Sequence, residues 1–94
     1  MRTGWHISNQ LALHFVTFTV VNWVDVFTKY EYAEILLENF RFYRENQGLQ
    51  IHGYVIMTNH VHAILSATQP QHDLSSLINR FKTFTSKTII EAII

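Results

Sequence analysis

The sequence predicts an α+β fold with an antiparallel sheet, whose elements follow the order β-α-β-β-α. A run of β-branched and aromatic residues near the N-terminus is typical of a strand. Two later segments repeat apolar residues at helical spacing, and two alternating segments between them meet at a short polar turn. Because 48% of the 94 residues are hydrophobic and 15% are charged, we expect one folded domain spanning residues 1–94.

The first strand is predicted within Leu11–Trp23, where β-branched and aromatic side chains dominate. Alternate residues of a strand share a face. One face is uniformly apolar and the other carries threonines: the first holds Val16, Phe18 and Val20, the second Phe15, Thr17, Thr19 and Val21. This pattern favours a central or near-central strand of the sheet.

The first helix is predicted to begin at Thr28, since Thr28 and Glu31 have the spacing of a capping box. Apolar residues then recur at helical spacing, at Ala33, Leu36, Leu37, Phe40 and Tyr43 or Arg44. The predicted solvated side is charged and consists of Glu31, Glu34, Glu38, Arg41, Arg44 and Glu45. Gly48 is the expected C-terminal stop, because glycine adopts the left-handed conformation without a side-chain clash.

Two strands follow, at about Leu49–Met57 and His60–Ala67, with Thr58 and Asn59 as the turn of a tight hairpin. Asp73 is predicted to cap a second helix. One side of that helix is apolar and is formed by Leu74, Leu77, Ile78, Phe81 and Phe84 or Thr85. The final residues, 88–94, are unusually apolar for an exposed terminus.

This element order is that of a ferredoxin-like fold, which normally continues with a fourth strand. We therefore expect the domain to be incomplete, without the last strand. An alternative is that a partner or a second copy covers the free sheet edge and the apolar tail, so a homodimer is possible.

Composition excludes several classes of protein. The formal net charge is zero, so no overall field attracts the chain to nucleic acid or to acidic membranes. With no cysteine, disulfides and thiolate metal sites are excluded. The N-terminus lacks a secretory signal, and no apolar run is long enough to span a bilayer. We therefore expect a cytoplasmic protein that has no membrane partner.

His60 and His62 are the first candidates for chemistry, because same-face positions of a strand lie about 7 Å apart and both imidazoles can reach one metal ion. Structural or surface histidines are the commoner alternative for this pattern. Two imidazoles are also too few for a catalytic metal, which usually has three protein ligands. His52, Gln50 and Gln69 are possible additions, although in a regular hairpin His52 falls on the opposite face.

The surrounding sequence is more specific than the histidine pair. The segment Tyr54–Leu65 resembles the signature of small single-tyrosine HUH transposases, with Thr58 at a position where the family has Pro or Ser. His14–Thr19 resembles the first strand of that family, and Asp73–Lys87 resembles its following helix. The likeness covers nearly the whole chain from residue 4 and is closest to the REP-associated tyrosine transposases.

The resemblance implies a function and a cofactor. His60 and His62 map onto two ligands of a divalent ion, Mg²⁺ or Mn²⁺, which would be held against a phosphate of single-stranded or hairpin DNA. In the family a tyrosine hydroxyl attacks the phosphorus and leaves a 5′-phosphotyrosine and a free 3′-hydroxyl. Because coordinating histidines must be neutral, metal-dependent activity is expected to fade on acidification.

The catalytic tyrosine of the family lies on a later helix, which the resemblance places beyond Ile94. None of Tyr30, Tyr32, Tyr43 and Tyr54 matches its position, and each is better explained by packing. We therefore expect no nucleophile within these residues. The chain then resembles the N-terminal part of a transposase, inactive by itself.

Asn59, Arg80, Lys82 and Lys87 are the predicted DNA-contacting residues, since the second helix has a slight excess of cations and several hydroxyl donors. A solvated helix face explains these cations equally well by composition alone. Trp5 and Trp23 are further stacking candidates, although packing is the commoner role for tryptophan. A non-catalytic nucleic-acid or protein-binding module remains the main alternative function, and a purely structural protein is a third possibility.

Overall fold

The computed structural model describes residues 9–19 and 26–93. They form a three-stranded antiparallel sheet and two helices in the predicted order. The strands are β1 (His14–Thr19), β2 (Leu49–Ile56) and β3 (His60–Ala67), and the helices are α1 (Tyr30–Asn46) and α2 (Leu74–Ile93). The α+β prediction is confirmed, and the order is that of the first five elements of a ferredoxin-like fold. Within the described residues there is no fourth strand.

The position predicted for β1 was wrong. The strand order is β1-β3-β2, so among the described residues β1 lies at an edge of the sheet and β3 is the central strand. The predicted faces of β1 are nonetheless correct, since Val16 is buried and Phe15 and Thr17 are exposed. The end of the predicted strand, with Val20 and Val21, lies outside the described residues, as do Trp5 and Trp23.

The start of α1 also differs from the prediction. Thr28 ends a short 3₁₀ turn, Val26–Thr28, and the residue at the N-cap of α1 is Lys29, whose side chain makes no capping hydrogen bond. The predicted helix start at Thr28 was therefore wrong, because α1 begins at Tyr30. The reason is the 3₁₀ turn, which places Thr28 before the helix instead of at its cap.

The end of α1 follows the prediction. Gly48 has a φ of +79°, the left-handed conformation that favours glycine. A Cβ atom at this position would also lie only 2.6 Å from Nε2 of His72. Both observations explain why glycine joins α1 to β2.

The tight hairpin is confirmed. Met57 N–H donates to the carbonyl of His60 over 2.8 Å, which leaves Thr58 and Asn59 as the two-residue loop. The carbonyl of Thr58 accepts a further bond from the Phe27 amide. This contact ties the 3₁₀ turn to the hairpin and fixes the loop just before the two histidines.

The second helix is capped as predicted. Asp73 accepts hydrogen bonds from the backbone N–H groups of Ser75 and Ser76, at 3.1 and 3.4 Å. Of the two alternatives on its apolar side, Thr85 is buried and Phe84 is 45% exposed. Thr85 accepts a hydrogen bond from the buried Asn39 of α1, which connects the two helices.

Both helices cover the same face of the sheet. That face carries the buried side chains of β3, namely Val61, Ala63, Leu65 and Ala67, against which Leu36 and Phe40 of α1 and Phe81 of α2 pack. The opposite face, called here the open face, carries the alternate residues of β3 and their neighbours across the sheet. It presents Phe15, Thr17, Val55, His60, His62 and Ile64.

Candidate metal and nucleic-acid site

His60 and His62 lie on the open face, as the alternation of β3 predicts. Val61 between them is 1% exposed and belongs to the core. Its burial fixes which way the strand faces, because a shift by one residue would expose Val61 and bury both imidazoles. His60 is half-buried and His62 is exposed.

The two imidazoles are neighbours. Their ring centroids are 4.8 Å apart and their planes are nearly perpendicular, at 84°. This separation is smaller than the spacing of about 7 Å between same-face residues along a strand, so the rings lean toward each other. The prediction that the two side chains can approach one ion is consistent with this geometry.

Asn59 orients the first ring. Its Oδ1 atom lies 2.8 Å from Nδ1 of His60. An amide oxygen only accepts, so Nδ1 carries the proton and Nε2 of the neutral ring presents its lone pair. Asn59 had been predicted to contact DNA; the structure places its side-chain oxygen on His60, and a DNA contact by this residue stays a prediction.

Thr17 orients the second ring. Its Oγ1 atom lies 3.0 Å from Nδ1 of His62, directly across the β1–β3 ladder. Hydrogen bonds of this kind to the second ring nitrogen are typical of metal-binding histidines. The sequence analysis missed this role, because the partner of His62 lies 45 residues away. The threonines alternating along β1 were the only signal that polar groups line the open face.

Both hydrogen bonds engage Nδ1. Nε2 of His60 is therefore left for coordination, and Nε2 of His62 is left in the tautomer in which Nδ1 donates to the Thr17 hydroxyl. Nε2 is one of the two nitrogens through which histidine binds metals. The open face thus carries two neighbouring imidazole rings, each with a protein oxygen at its Nδ1.

His52 lies apart from His60 and His62, as predicted. The predicted reason, that His52 lies on the opposite face of the sheet, was wrong. A β-bulge between Ile51 and Gly53 inserts His52 into the ladder. Its Nε2 lies 2.7 Å from Oγ of Ser66, which alternates on the same face as His62. His52 therefore lies toward the open face and not the core side. It remains distant, because Ser66 is four residues, about 13 Å, along β3 from His62.

The other proposed ligands are also elsewhere. Gln50 lies opposite Ser66 and accepts its hydroxyl bond at 3.4 Å, and Gln69 bonds to Gln71 in the loop before α2. Over residues 9–19 and 26–93, no group of three or more His, Asp or Glu side chains could hold a metal ion. Among the described residues, the site thus places two candidate imidazole ligands together without a third His, Asp or Glu.

These donors fit some ions better than others. Imidazole nitrogen suits transition metals, whereas Mg²⁺ prefers oxygen ligands and retains several waters. Two imidazoles on an open surface therefore fit a partly hydrated divalent transition-metal ion, and by themselves they select no particular one. The remaining coordination positions would be taken by water, substrate oxygens or a ligand from another segment.

No tyrosine of this chain lies on the open face. Tyr30, Tyr32 and Tyr43 belong to α1, which covers the opposite face. Tyr54 is paired with Ala63 on the helix side of the sheet, and its ring centroid lies 5.8 Å from that of Phe40. The predicted packing role is confirmed for Tyr43, which is 7% exposed. It was wrong for Tyr30, which is 76% exposed, and Tyr54 is 48% exposed although its ring lies beside that of Phe40.

The three predicted DNA-binding cations lie on α2 and do not share one surface with the histidines. At 100° per residue, Arg80 and Lys87 point to nearly the same side of the helix and Lys82 to the other. Arg80 donates to Gln47 at 3.3 Å, and Lys87 is exposed. Lys82 is half-buried and lines an apolar cleft to which Phe18 also contributes. Their contact with DNA stays a prediction.

Comparison with known proteins adds one finding to this geometry. A model of the family described as Transposase IS200 like matches residues 7–93, which is nearly the whole chain and includes both histidines. A comparison with curated proteins finds no match. No helix among the described residues is both long and apolar enough to cross a membrane.

Proposed function

Because the chain belongs to the IS200-like transposase family, we propose that its histidine pair is the metal-binding half of a site that cuts and rejoins single-stranded DNA. Family membership implies a transposase-related function and contact with DNA. The observation that carries the finer proposal is the geometry of His60 and His62. Their rings are 4.8 Å apart, and each Nδ1 lies within hydrogen-bond distance of a protein oxygen, so that coordination would use the two Nε2 atoms.

The residues of the chain have separate roles in this proposal. His60 and His62 would bind a divalent ion through Nε2, while Asn59 and Thr17 hold the two rings in position. When bound, the ion would polarise a phosphoryl oxygen of the DNA and stabilise the negative charge that develops there. The open face gives the phosphate access from solvent, since the described helices pack only on the other side.

The nucleophile is proposed to come from outside these residues. A tyrosine hydroxyl must reach the phosphorus next to the ion, and all four tyrosines lie on the helix side of the sheet. A later segment of the same protein or another polypeptide would have to provide it. We expect the 94-residue chain alone to bind single-stranded DNA without cleaving it.

Incubation with labelled single-stranded DNA and Mn²⁺ tests this expectation. We expect no covalent adduct and no cleavage on a denaturing gel, together with binding that chelator weakens and that His60→Ala also weakens. A covalent adduct abolished by substitution of one of the four tyrosines would contradict the proposed source of the nucleophile. If neither chelator nor His60→Ala weakens the binding of single-stranded DNA, the proposed metal site is contradicted.

A second function is a nucleic-acid-binding module without metal chemistry. It is favoured by one specific observation, the lack of a third ligand near His60 and His62 within the described residues. In that case binding of a hairpin oligonucleotide would weaken with salt but remain unchanged by chelator. The same titration, repeated with and without chelator, separates the two functions.

A further inference from the structure

Phe15 is the most exposed of the large hydrophobic residues in the described part of the chain, with 82% of its surface accessible. It lies on β1 and shares the open face with Thr17 and the histidine pair. Such exposure is unusual for an aromatic residue on a strand that packs on one face. Strands of this kind normally place their aromatic residues in the core.

The surroundings of Phe15 are flat and uncrowded. Across the ladder it faces Ile64, and Ile64 in turn faces Gly53 of β2. A Cβ atom built on Gly53 would meet nothing within 4 Å. The row Phe15–Ile64–Gly53 is therefore a shallow apolar shelf, with a ring at the sheet edge and an open space at its other end.

This shelf is the next row of side chains beside the candidate metal site. Phe15 precedes Thr17 by one same-face step of about 7 Å, and the Thr17 hydroxyl lies 3.0 Å from Nδ1 of His62. A phosphate held at His60 and His62 would thus have the Phe15 ring one step away on the same surface. One nucleotide is long enough to span this step.

We infer that Phe15 stacks on an unpaired base of the single-stranded DNA, in the nucleotide adjacent to the phosphate held by the histidines. Aromatic side chains bind bases of single strands by stacking, which tolerates any base because each has a π-face. The described shelf carries no cation, so it recognises a base and not a backbone phosphate. This inference rests on the proposed function and identifies a substrate contact of the same site.

The test measures binding of a fluorescently labelled single-stranded oligonucleotide by anisotropy, in Mn²⁺ at fixed salt. We expect Phe15→Ala to weaken binding by about 5- to 100-fold, the range found when a stacking aromatic is truncated. Phe15→Trp is expected to retain binding, and Phe15→Leu to lose it although leucine remains apolar. Phe84→Ala serves as the matched control, because Phe84 is also exposed but lies on the helix side.

An abasic scan identifies the stacked nucleotide. Removing one base at a time should weaken wild-type binding at a single position and leave the binding of Phe15→Ala unchanged at that position, since the two changes remove the same contact. Equal losses from abasic substitution in both proteins would overturn the inference. So would Phe15→Ala binding as tightly as wild type, or a Phe15→Ala variant that changes only the oligomeric state in light scattering.

Failure of this inference can be distinguished from failure of the proposed function. If His60→Ala abolishes metal-dependent DNA binding while Phe15→Ala does not affect it, the stacking contact is wrong and the metal site stands. If Phe15→Ala weakens binding while chelator and His60→Ala do not, the stacking contact stands and the metal site is wrong. If wild type binds no oligonucleotide, both are wrong.

Discussion

The side-chain oxygen of Asn59 accepts a hydrogen bond from Nδ1 of His60 over 2.8 Å. Asn59 is the last residue of the hairpin loop and His60 is the first residue of β3. The turn that reverses the chain therefore also fixes the orientation and the tautomer of the first candidate ligand. Thr17 holds the ring of His62 from the edge strand, although a hydroxyl group can donate or accept and so does not fix the tautomer of that ring.

Asn59→Ala should weaken Mn²⁺ binding by about 10- to 100-fold, the usual effect of removing an outer-shell partner of a metal ligand. Asn59→Asp should retain or strengthen binding, since a carboxylate accepts the same hydrogen bond. Titration calorimetry measures both variants. If Asn59→Ala binds Mn²⁺ like wild type but binds single-stranded DNA more weakly, Asn59 contacts DNA directly, as the sequence predicted.

Thr17→Val removes the hydroxyl beside His62 and preserves the shape of the side chain. We expect Mn²⁺ affinity to fall by roughly tenfold, and Thr17→Ser to keep most of it. The neighbouring Thr19→Val is the matched control on the same strand and face. Equal effects of Thr17→Val and Thr19→Val would show that the Thr17–His62 hydrogen bond does not orient the ring.

Gly48→Ala should destabilise the fold by about 1–3 kcal/mol, because it forces a side chain into the left-handed conformation and places a Cβ against His72. Urea unfolding monitored by circular dichroism measures the loss. In the double variant with His72→Ala, relief of the clash should recover part of it. No difference between Gly48→Ala and wild type would contradict the positive φ.

Thr85→Val leaves the buried amide of Asn39 without its acceptor at 3.1 Å. We expect a loss of about 1–3 kcal/mol in the free energy of unfolding, the cost of an unsatisfied buried donor. Asn39→Leu combined with Thr85→Val should cost less than the sum of the single changes. Strict additivity would show that the two side chains do not interact across the α1–α2 contact.

The features that the sequence predicted correctly depend on local signals. Asp73 caps α2, Gly48 ends α1 in the left-handed conformation, and Thr58 and Asn59 form the hairpin loop. Each needs only the chemistry of one residue and its immediate neighbours. The alternation that places His60 and His62 on one face is local in the same sense.

The wrong predictions depend on contacts between distant segments. A bulge moves His52 toward the open face, and Gly53 beside it was the one local signal, which does not specify the direction of the His52 side chain. The 3₁₀ turn that displaces Thr28 from the helix cap is tied to the hairpin loop by the Phe27–Thr58 hydrogen bond. The edge position of β1 follows from the pairing order of the strands, which its threonine pattern does not determine. The hydrogen-bond partners of the two histidines show the same difference between local and distant contacts. Asn59 is adjacent to His60 in sequence, whereas Thr17 is far from His62.

Titration of Mn²⁺ into the wild-type protein and its variants, followed by electron paramagnetic resonance of the free ion, tests the central claim most directly. His52→Ala is the matched control, because His52 lies on the same pair of strands but bonds to Ser66 away from the site. The account predicts saturable binding of one ion in wild type and in His52→Ala, and its loss in His60→Ala and in His62→Ala. Equally weak binding in wild type and in the double variant His60→Ala/His62→Ala would contradict it.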